Sequence, residues 1–412
     1  MISIIALLLV FILIAIRQVG NIKLQIWQIM LAGAFIVLIT GQISVSSAFY
    51  SINLDVISFL FGMFIIGQAL DESGLLSYVE HKFIKTASSV DRLVIMILLG
   101  MGFTSSILMN DTVAIIGTPI VLTIAVKNRI NSKLLLLTLA FAITIGSTAS
   151  PIGNPQNLLI AVNGNMSNPF LTFFKFLFAP TLLNLFVAYL ILKIFYRNEF
   201  QKKLVPNNDF RIKDKKLASV SKISILSVFI LIIVKITLIL IGSRFNFKLT
   251  YIALISALPI ILFSKRRLSV LSSIDWNTLI FFAAMFVLMQ GVWNTGYLQN
   301  IINNSGFNIT SIIMILFVSV ILSQFISNVP LVALYLPLLI HLGVTAKELT
   351  ALAAGSTIAG NLFILGAASN IIIIQNAEKR NEGTLTFRDF AKVGIPLTII
   401  NILIYFLFLK IL

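Results

Sequence analysis

Four short polar runs interrupt otherwise apolar stretches of this chain: MNDT at 109–112, GSTASPIGNPQN at 146–157, SNVP at 327–330 and GNLFILGAASN at 360–370. Their side chains are amides, hydroxyls and one carboxylate, with glycine and proline between them. Proline removes a backbone donor and glycine admits dihedrals closed to other residues, so Pro151, Gly153 and Pro155 mark an unwound helix, and Gly366 with Ala367 and Ala368 marks a second. An unwound turn frees N–H groups that can hold an anion and carbonyls that, with Asn, Ser and Thr oxygens, can hold a cation. The candidate binding residues are therefore Asn110, Asp111 and Thr112; Thr148, Ser150, Gly153, Asn154 and Asn157; Ser327 and Asn328; and Asn361, Gly366, Ser369 and Asn370. Asp111 is the acid expected at membrane depth, a costly position unless the group is paired, protonated or bound to a cation. It reads as a proton or Na+ ligand, with a hairpin-tip cap as the structural alternative; for the asparagines the alternative is hydrogen bonding between helices.

The elements that must carry these runs follow from composition. Of 412 residues 58% are hydrophobic and 11% charged, against ~25% charged in soluble domains. Mean hydropathy is +1.04. Apolar segments recur at about 2–16, 24–40, 54–70, 93–126, 134–162 and 170–195, then at 222–242, 249–264, 276–292, 309–340, 349–375 and 393–411. A ~30 Å hydrocarbon core takes ~20 helical residues to cross. The expected fold is thus an all-α polytopic membrane protein of two halves, 1–195 and 222–412, joined by a basic linker at 196–221. The fourth segment of each half (93–126 and 309–340) is long and polar at its middle, the signature of a re-entrant hairpin, and the fifth (134–162 and 349–375) is the broken helix.

Five crossings plus one hairpin per half oblige the halves to insert with opposite orientation. With the linker placed in the cytoplasm, 24 of the 30 Lys and Arg fall on the inside, which puts both termini outside and accounts for a net charge of +16 without nucleic acid. The halves also echo one another. Met63-Phe64 and Gly74 recur as Met285-Phe286 and Gly296 (offset 222), Asn110 and Pro119 as Asn328 and Pro337 (offset 218), and Gly153 and Asn157 as Gly366 and Asn370 (offset 213). Two inverted repeats of this kind are common in secondary transporters. Asp55 and Asp275, each at the start of a third segment, read as interfacial caps, Lys235 as a snorkelling or structurally paired residue, and His81 and His341 as surface positions.

No cysteine is present, which excludes disulfides and thiolate metal sites, and no Walker loop, HExxH or GxSxG occurs. No enzyme activity and no cofactor are expected, only Na+ or H+ as a coupling ion. NDTVAIIGTP with STASPIGNPQN, then ISNVPLVALYLP and GAASN, resemble the ion transporter superfamily, and within it the arsenite permease and sodium/proton antiporter group of citrate-transporter-like proteins. The resemblance covers nearly the whole chain and is most specific at PIGNPQN. It implies hairpins and broken helices that move as one unit on a scaffold, elevator fashion, in a protein that is often dimeric; the plasma membrane is the expected location, and an accessory ATPase is a further candidate partner. Related dicarboxylate/sodium symporters carry Ser-Asn-Thr at both tips, where this chain has Met109-Asn110-Asp111 and Ser327-Asn328-Val329, a difference favouring the branch with an acid in the first hairpin. The leading expectation is transport of a small inorganic ion or oxyanion, arsenite-like or Na+, coupled to H+ or Na+. The alternatives are Na+-coupled dicarboxylate or citrate symport, a passive channel, and a membrane-embedded enzyme.

Overall fold

Lipid offers no hydrogen-bond partners, so an apolar chain must satisfy its backbone within each segment, and helix is what forms. The computed structural model describes residues 2–16, 18–19, 22–23, 25–75, 87, 89–202, 204, 213–241, 243, 245, 247–297, 300, 309–326, 328–380 and 383–412. The first half contains α1 (Ile2–Ile16), α2 (Ile26–Ile39), α3 (Val45–Ser51), α4 (Leu54–Ser73), α5 (Val90–Leu108), α6 (Asn110–Lys127), α7 (Ser132–Ser147), α8 (Pro155–Asn163) and α9 (Pro169–Phe195). The second contains α10 (Lys215–Leu240), α11 (Leu249–Phe263), α12 (Arg267–Ser273), α13 (Trp276–Trp293), α14 (Ile312–Ile326), α15 (Asn328–His341), α16 (Ala346–Leu362), α17 (Ala368–Arg380) and α18 (Phe387–Ile411). A two-residue ladder, Gln18–Val19 against Ile22–Lys23, joins α1 to α2. Among the described residues seven helices are long and apolar enough to cross a bilayer: α4, α5, α6, α9, α10, α13 and α18. Large apolar side chains stand exposed along α1, α9, α10 and α18, among them Leu8, Phe174, Phe186, Ile233 and Leu407, as lipid-facing surface requires. The protein is an all-helical, multi-pass membrane protein.

Side-chain caps fix where several helices begin. Asn53, Ser89, Asn131, Asn168, Asp275, Thr345 and Thr386 each accept from a first-turn backbone N–H; such a cap contributes about 1 kcal/mol. The counterpart of Asp275 is therefore Asn53, at the same offset of 222 as Met63 and Met285, and not Asp55. Asp55 instead pairs with Lys248 at 2.8 Å and accepts from the Thr250 hydroxyl at 3.0 Å. Lys248 stands just outside α11, and that hydrogen bond holds its ammonium above the usual lysine range. The linker also differs from expectation: Asp214 accepts from the backbone N–H groups of Lys216 and Leu217 and starts α10 at Lys215. A charged first turn of a helix reads as loop by composition alone. Lys235, inside α10, donates to the Phe247 carbonyl; His341 is exposed in the last turn of α15, and His81 lies outside the described residues.

Packing between elements recurs in pairs. α2 packs on α13 and α11 on α4; α5 packs on α7 and α14 on α16; α6 packs on α17 and α15 on α8. α7 meets α16, and α9 meets α18. Close approach of α5 and α7 rests on small residues: a Cβ on Gly146 would lie 2.3 Å from the Gly102 Cα, so both backbones touch there. Gln68 donates to Glu72 in α4 just as Gln290 donates to Asn294 at the end of α13. Four of the five described ion pairs, Lys133–Asp389, Lys193–Asp91, Lys202–Glu199 and Arg266–Asp214, lie at the loops rich in Lys and Arg. Lys248–Asp55 lies at the opposite ends of the helices.

Candidate ion and substrate site

Between α5 and α6 the chain turns at Met109, a buried non-glycine residue with φ +70°. Such a conformation costs of order 1–3 kcal/mol and persists where surrounding contacts over-determine it. Those contacts are present. The Asn110 carboxamide oxygen accepts from the Asp111 N–H at 2.9 Å, and the Asn110 N–H donates to the Gly153 carbonyl at 2.9 Å, tying the tip to the break between α7 and α8. The corresponding tip of the second half repeats the local bond, with Asn328 accepting from the Val329 N–H at 3.0 Å. Asn328 is buried at the start of α15, whereas Ser327 lies outside the described residues.

The first break is built around two asparagines. Asn154 caps α8, accepting from the Asn157 N–H at 2.9 Å, and Pro155 occupies the first helical position, where no donor is needed. Asn157 turns its amide back onto three loose carbonyls, those of Ser147 (3.2 Å), Thr148 (3.3 Å) and Ser150 (3.0 Å). Gly153 passes so close to α7 that a Cβ there would sit 2.3 Å from the Ser147 carbonyl oxygen. In the second break α16 ends at Leu362, a short turn spans Ile364–Gly366, and α17 begins at Ala368. Asn370 donates to the Gly360 carbonyl at 2.6 Å, and a Cβ on Gly366 would lie 2.3 Å from the Ala359 carbonyl oxygen.

The breaks meet. Thr357 of α16 donates to the Asn157 carboxamide oxygen at 3.3 Å and accepts from Asn154 at 3.2 Å and Gln156 at 3.4 Å. Thr148, Ser150, Asn154, Asn157, Ser369 and Asn370 are all buried here, while Asn361 is committed elsewhere. Its amide donates to Asn401, which donates to Asn184, in a buried line running into α18 and α9. Thr357 and Gln156 are absent from the sequence-derived set, although the offset of 213 that relates Gly153 to Gly366 also relates Thr144 to Thr357.

Asp111 does not face this junction. With Thr112 it lines a cavity of about 40 Å³ together with Phe64, Gly67, Gln68, Asp71 and Asp275, room for water-sized occupants. Asp71 is on α4 and Asp275 caps α13, both at helix ends next to basic loops; the Lys213 N–H from the central linker donates to the Ser73 carbonyl beside it. Among the described residues no three acids or histidines stand close enough to share a metal ion, so the carboxylates line the cleft without converging. The arrangement places a titratable or cation-binding group next to, and separate from, a neutral polar junction between the two broken helices.

Asn157 provides one test of this geometry. Asn157→Asp turns a donor facing three carbonyls into an acceptor, and should destabilise the protein by at least about 2 kcal/mol, more than Asn157→Ala. Melting of the purified variants in detergent measures both; an aspartate variant as stable as wild type would show that the amide does not hold the break.

Residues 9–351 match the citrate transporter family. A 46 kDa membrane protein of Mycobacterium leprae is 27% identical over 398 residues, covering 90% of each chain. The silicon efflux transporter of Oryza sativa is 24% identical over 442 residues, covering 90% of this chain and 89% of its own. The fold is similar to that of the YdaH transporter of Alcanivorax borkumensis, with a TM-score of 0.61 at 15% identity over 99% of this chain and 97% of that one.

Proposed function

Because the chain belongs to the citrate transporter family, and is a secondary transporter of that type, we propose that it carries a small inorganic oxyacid, arsenite-like in size and bonding, across the plasma membrane in a cycle coupled to H+ or Na+. The observation that carries the reading is the neutrality of the junction. Its polar walls are Asn, Gln, Ser and Thr (Asn154, Gln156, Asn157, Thr357, Ser369, Asn370), with no Lys or Arg among the contacts described there. A neutral or singly charged hydroxide is matched by hydroxyls and amides alone, whereas a citrate-sized polyanion would gain from cationic partners that these contacts do not supply. Asp111 in its own cleft serves as the coupling group. That cleft lies at the basic-loop end of α4 and α13, and so on the cytoplasmic side if those loops are cytoplasmic. The paired packing supports the reading of two inverted repeats, and in the proposed cycle their tips and breaks move as one unit, with two copies of the chain forming a homodimer.

Na+-coupled citrate symport is the second reading, favoured by the family match itself. Proteoliposome flux decides between them, using arsenite, silicic acid, phosphate, sulfate and citrate under imposed pH and Na+ gradients. Coupled flux of arsenite or silicic acid is expected; coupled flux of citrate alone would replace this reading with the second.

The orientation has its own test, eased by the absence of natural cysteine. Single cysteines at Ser46 and Asn165 should react with an impermeant thiol reagent added to intact cells, and one at Asn198 should react only after lysis. The reverse pattern would exchange the sides of every feature above.

A further inference from the structure

Each half carries a seven-residue helix shortly before a capped crossing, α3 (Val45–Ser51) in the first and α12 (Arg267–Ser273) in the second. They are repeat mates residue for residue, because the offset of 222 that relates Asn53 to Asp275 also relates Val45 to Arg267. Their starts differ in chemistry. Ile43, Ser44 and Val45 in one correspond to Lys265, Arg266 and Arg267 in the other. Ser44 caps α3 by accepting from the Ser47 N–H at 3.1 Å, whereas Arg266 stands in the capping place of α12 and makes no such bond. The element thus forms without these charges, and three cations at a helix start work against its dipole, so something other than the local fold calls for them. Arg266 reaches Asp214 at 3.3 Å, which brings the start of α12 to the start of α10. Lys215, Lys216 and Lys222 are exposed on α10, as are Lys265 and Arg267, and among the described residues none of these five has an ion pair. Glu72 of α4, the acid that α12 touches, already accepts from the Ser269 hydroxyl and the Gln68 amide, each at 3.1 Å. Apolar side chains stand exposed next to the charges: Ile223 and Leu226 on α10, Leu262 and Phe263 at the end of α11, and Leu268, 76% exposed, on α12.

We propose that the basic-loop ends of α10 and α11, with the start of α12, bind an anionic phospholipid: Lys222, Lys265 and Arg267 hold its phosphate, and its acyl chains lie along the exposed apolar side chains of α10 and α11. The occupant must be negative at one end and apolar at the other, because cations and lipid-facing side chains adjoin here. Arginine and lysine both suit a phosphate, the first through its fork of donors and the second as a point charge. Orientation of the chain in the bilayer does not require the arrangement, since that bias is met by Lys and Arg anywhere in the short inside loops. Here two runs about 50 residues apart in sequence are gathered into one patch by the Arg266–Asp214 pair. A second copy of the chain meeting this patch about a two-fold axis would set the same cations against one another, so a lipid is the better match.

Melting of the purified full-length protein in neutral detergent micelles, doped with phosphatidylglycerol or with the same amount of phosphatidylcholine, tests the site. Phosphatidylglycerol should raise the melting temperature saturably, and phosphatidylcholine should not. The triple variant Lys222→Gln, Lys265→Gln, Arg267→Gln leaves the Arg266–Asp214 pair in place and should weaken the apparent affinity for phosphatidylglycerol at least tenfold, at about fivefold for each basic residue near an anionic surface. Lys265→Gln alone should weaken it about fivefold, which keeps the test open if the triple variant does not fold. A second triple variant, Arg197→Gln, Arg388→Gln, Lys392→Gln, removes the same charge from exposed positions in other basic loops and should respond as wild type. An equal loss of response in the two triple variants would overturn the proposal, leaving only general attraction between opposite charges. Equal stabilisation of the wild type by phosphatidylcholine would also overturn it. So would a full shift with soluble glycerol 3-phosphate, which has the anion but no acyl chains.

Discussion

Replacing Asp111 with asparagine is expected to abolish gradient-driven accumulation in proteoliposomes while the protein still inserts and folds. The amide is nearly isosteric with the acid but has no charge and no titratable proton, so only a role in coupling is removed. At the tip of the first hairpin it is Asn110 that bonds the first-turn N–H, which leaves the carboxylate of Asp111 in the cleft with Asp71 and Asp275. In the variant, solute should equilibrate and not concentrate under an imposed pH or Na+ gradient, and counterflow exchange should persist. Full coupled accumulation by Asp111→Asn would end the assignment.

Gly153→Ala should be nearly as damaging, for a steric reason. The new methyl would lie 2.3 Å from the Ser147 carbonyl oxygen and 2.8 Å from the Ser147 Cα, both backbone atoms that cannot swing aside. Relief requires α7 and the break to separate, which would also pull the Gly153 carbonyl from Asn110 and loosen the hairpin tip. A cost of about 1–3 kcal/mol or more is expected, with loss of flux. Gly291→Ala is the control, since its Cβ would meet Val37 side-chain atoms no closer than 3.4 Å. Equal melting temperatures and equal flux for both variants would show that the close approach at Gly153 is not required.

The sequence identified the breaks because proline and glycine at membrane depth have few other meanings, and the offset of 213 marked both of them before any contact was known. It grouped Asp111 with Asn110 because they are adjacent, yet successive residues of a helix point ~100° apart, and the two side chains enter different surroundings. Asp71 and Asp275 look like ordinary helix-end acids until the fold brings α4 and the start of α13 together around α6. Thr357 was hidden for a similar reason. One threonine in a small-residue helix has no distinctive signal until the halves are juxtaposed and its hydroxyl lies among Asn154, Gln156 and Asn157. The line Asn361–Asn401–Asn184 likewise joins residues far apart in sequence, which no local pattern reports.

The crossed packing of the halves bears on how the chain is made. α2 finds its main partner in α13, and α4 finds its own in α11, so neither surface of the first half can be covered until residues 249–293 have entered the membrane. During synthesis α2 and α4 must wait in the bilayer without these partners, and the Thr357 side of Asn154 and Asn157 and the Asp275 side of the Asp111 cleft stay open, while α5 can already pack on α7. Completion is then a late docking of the two halves. A gene cut within the central linker should therefore yield two fragments that are each degraded alone and recovered only when produced in the same cell.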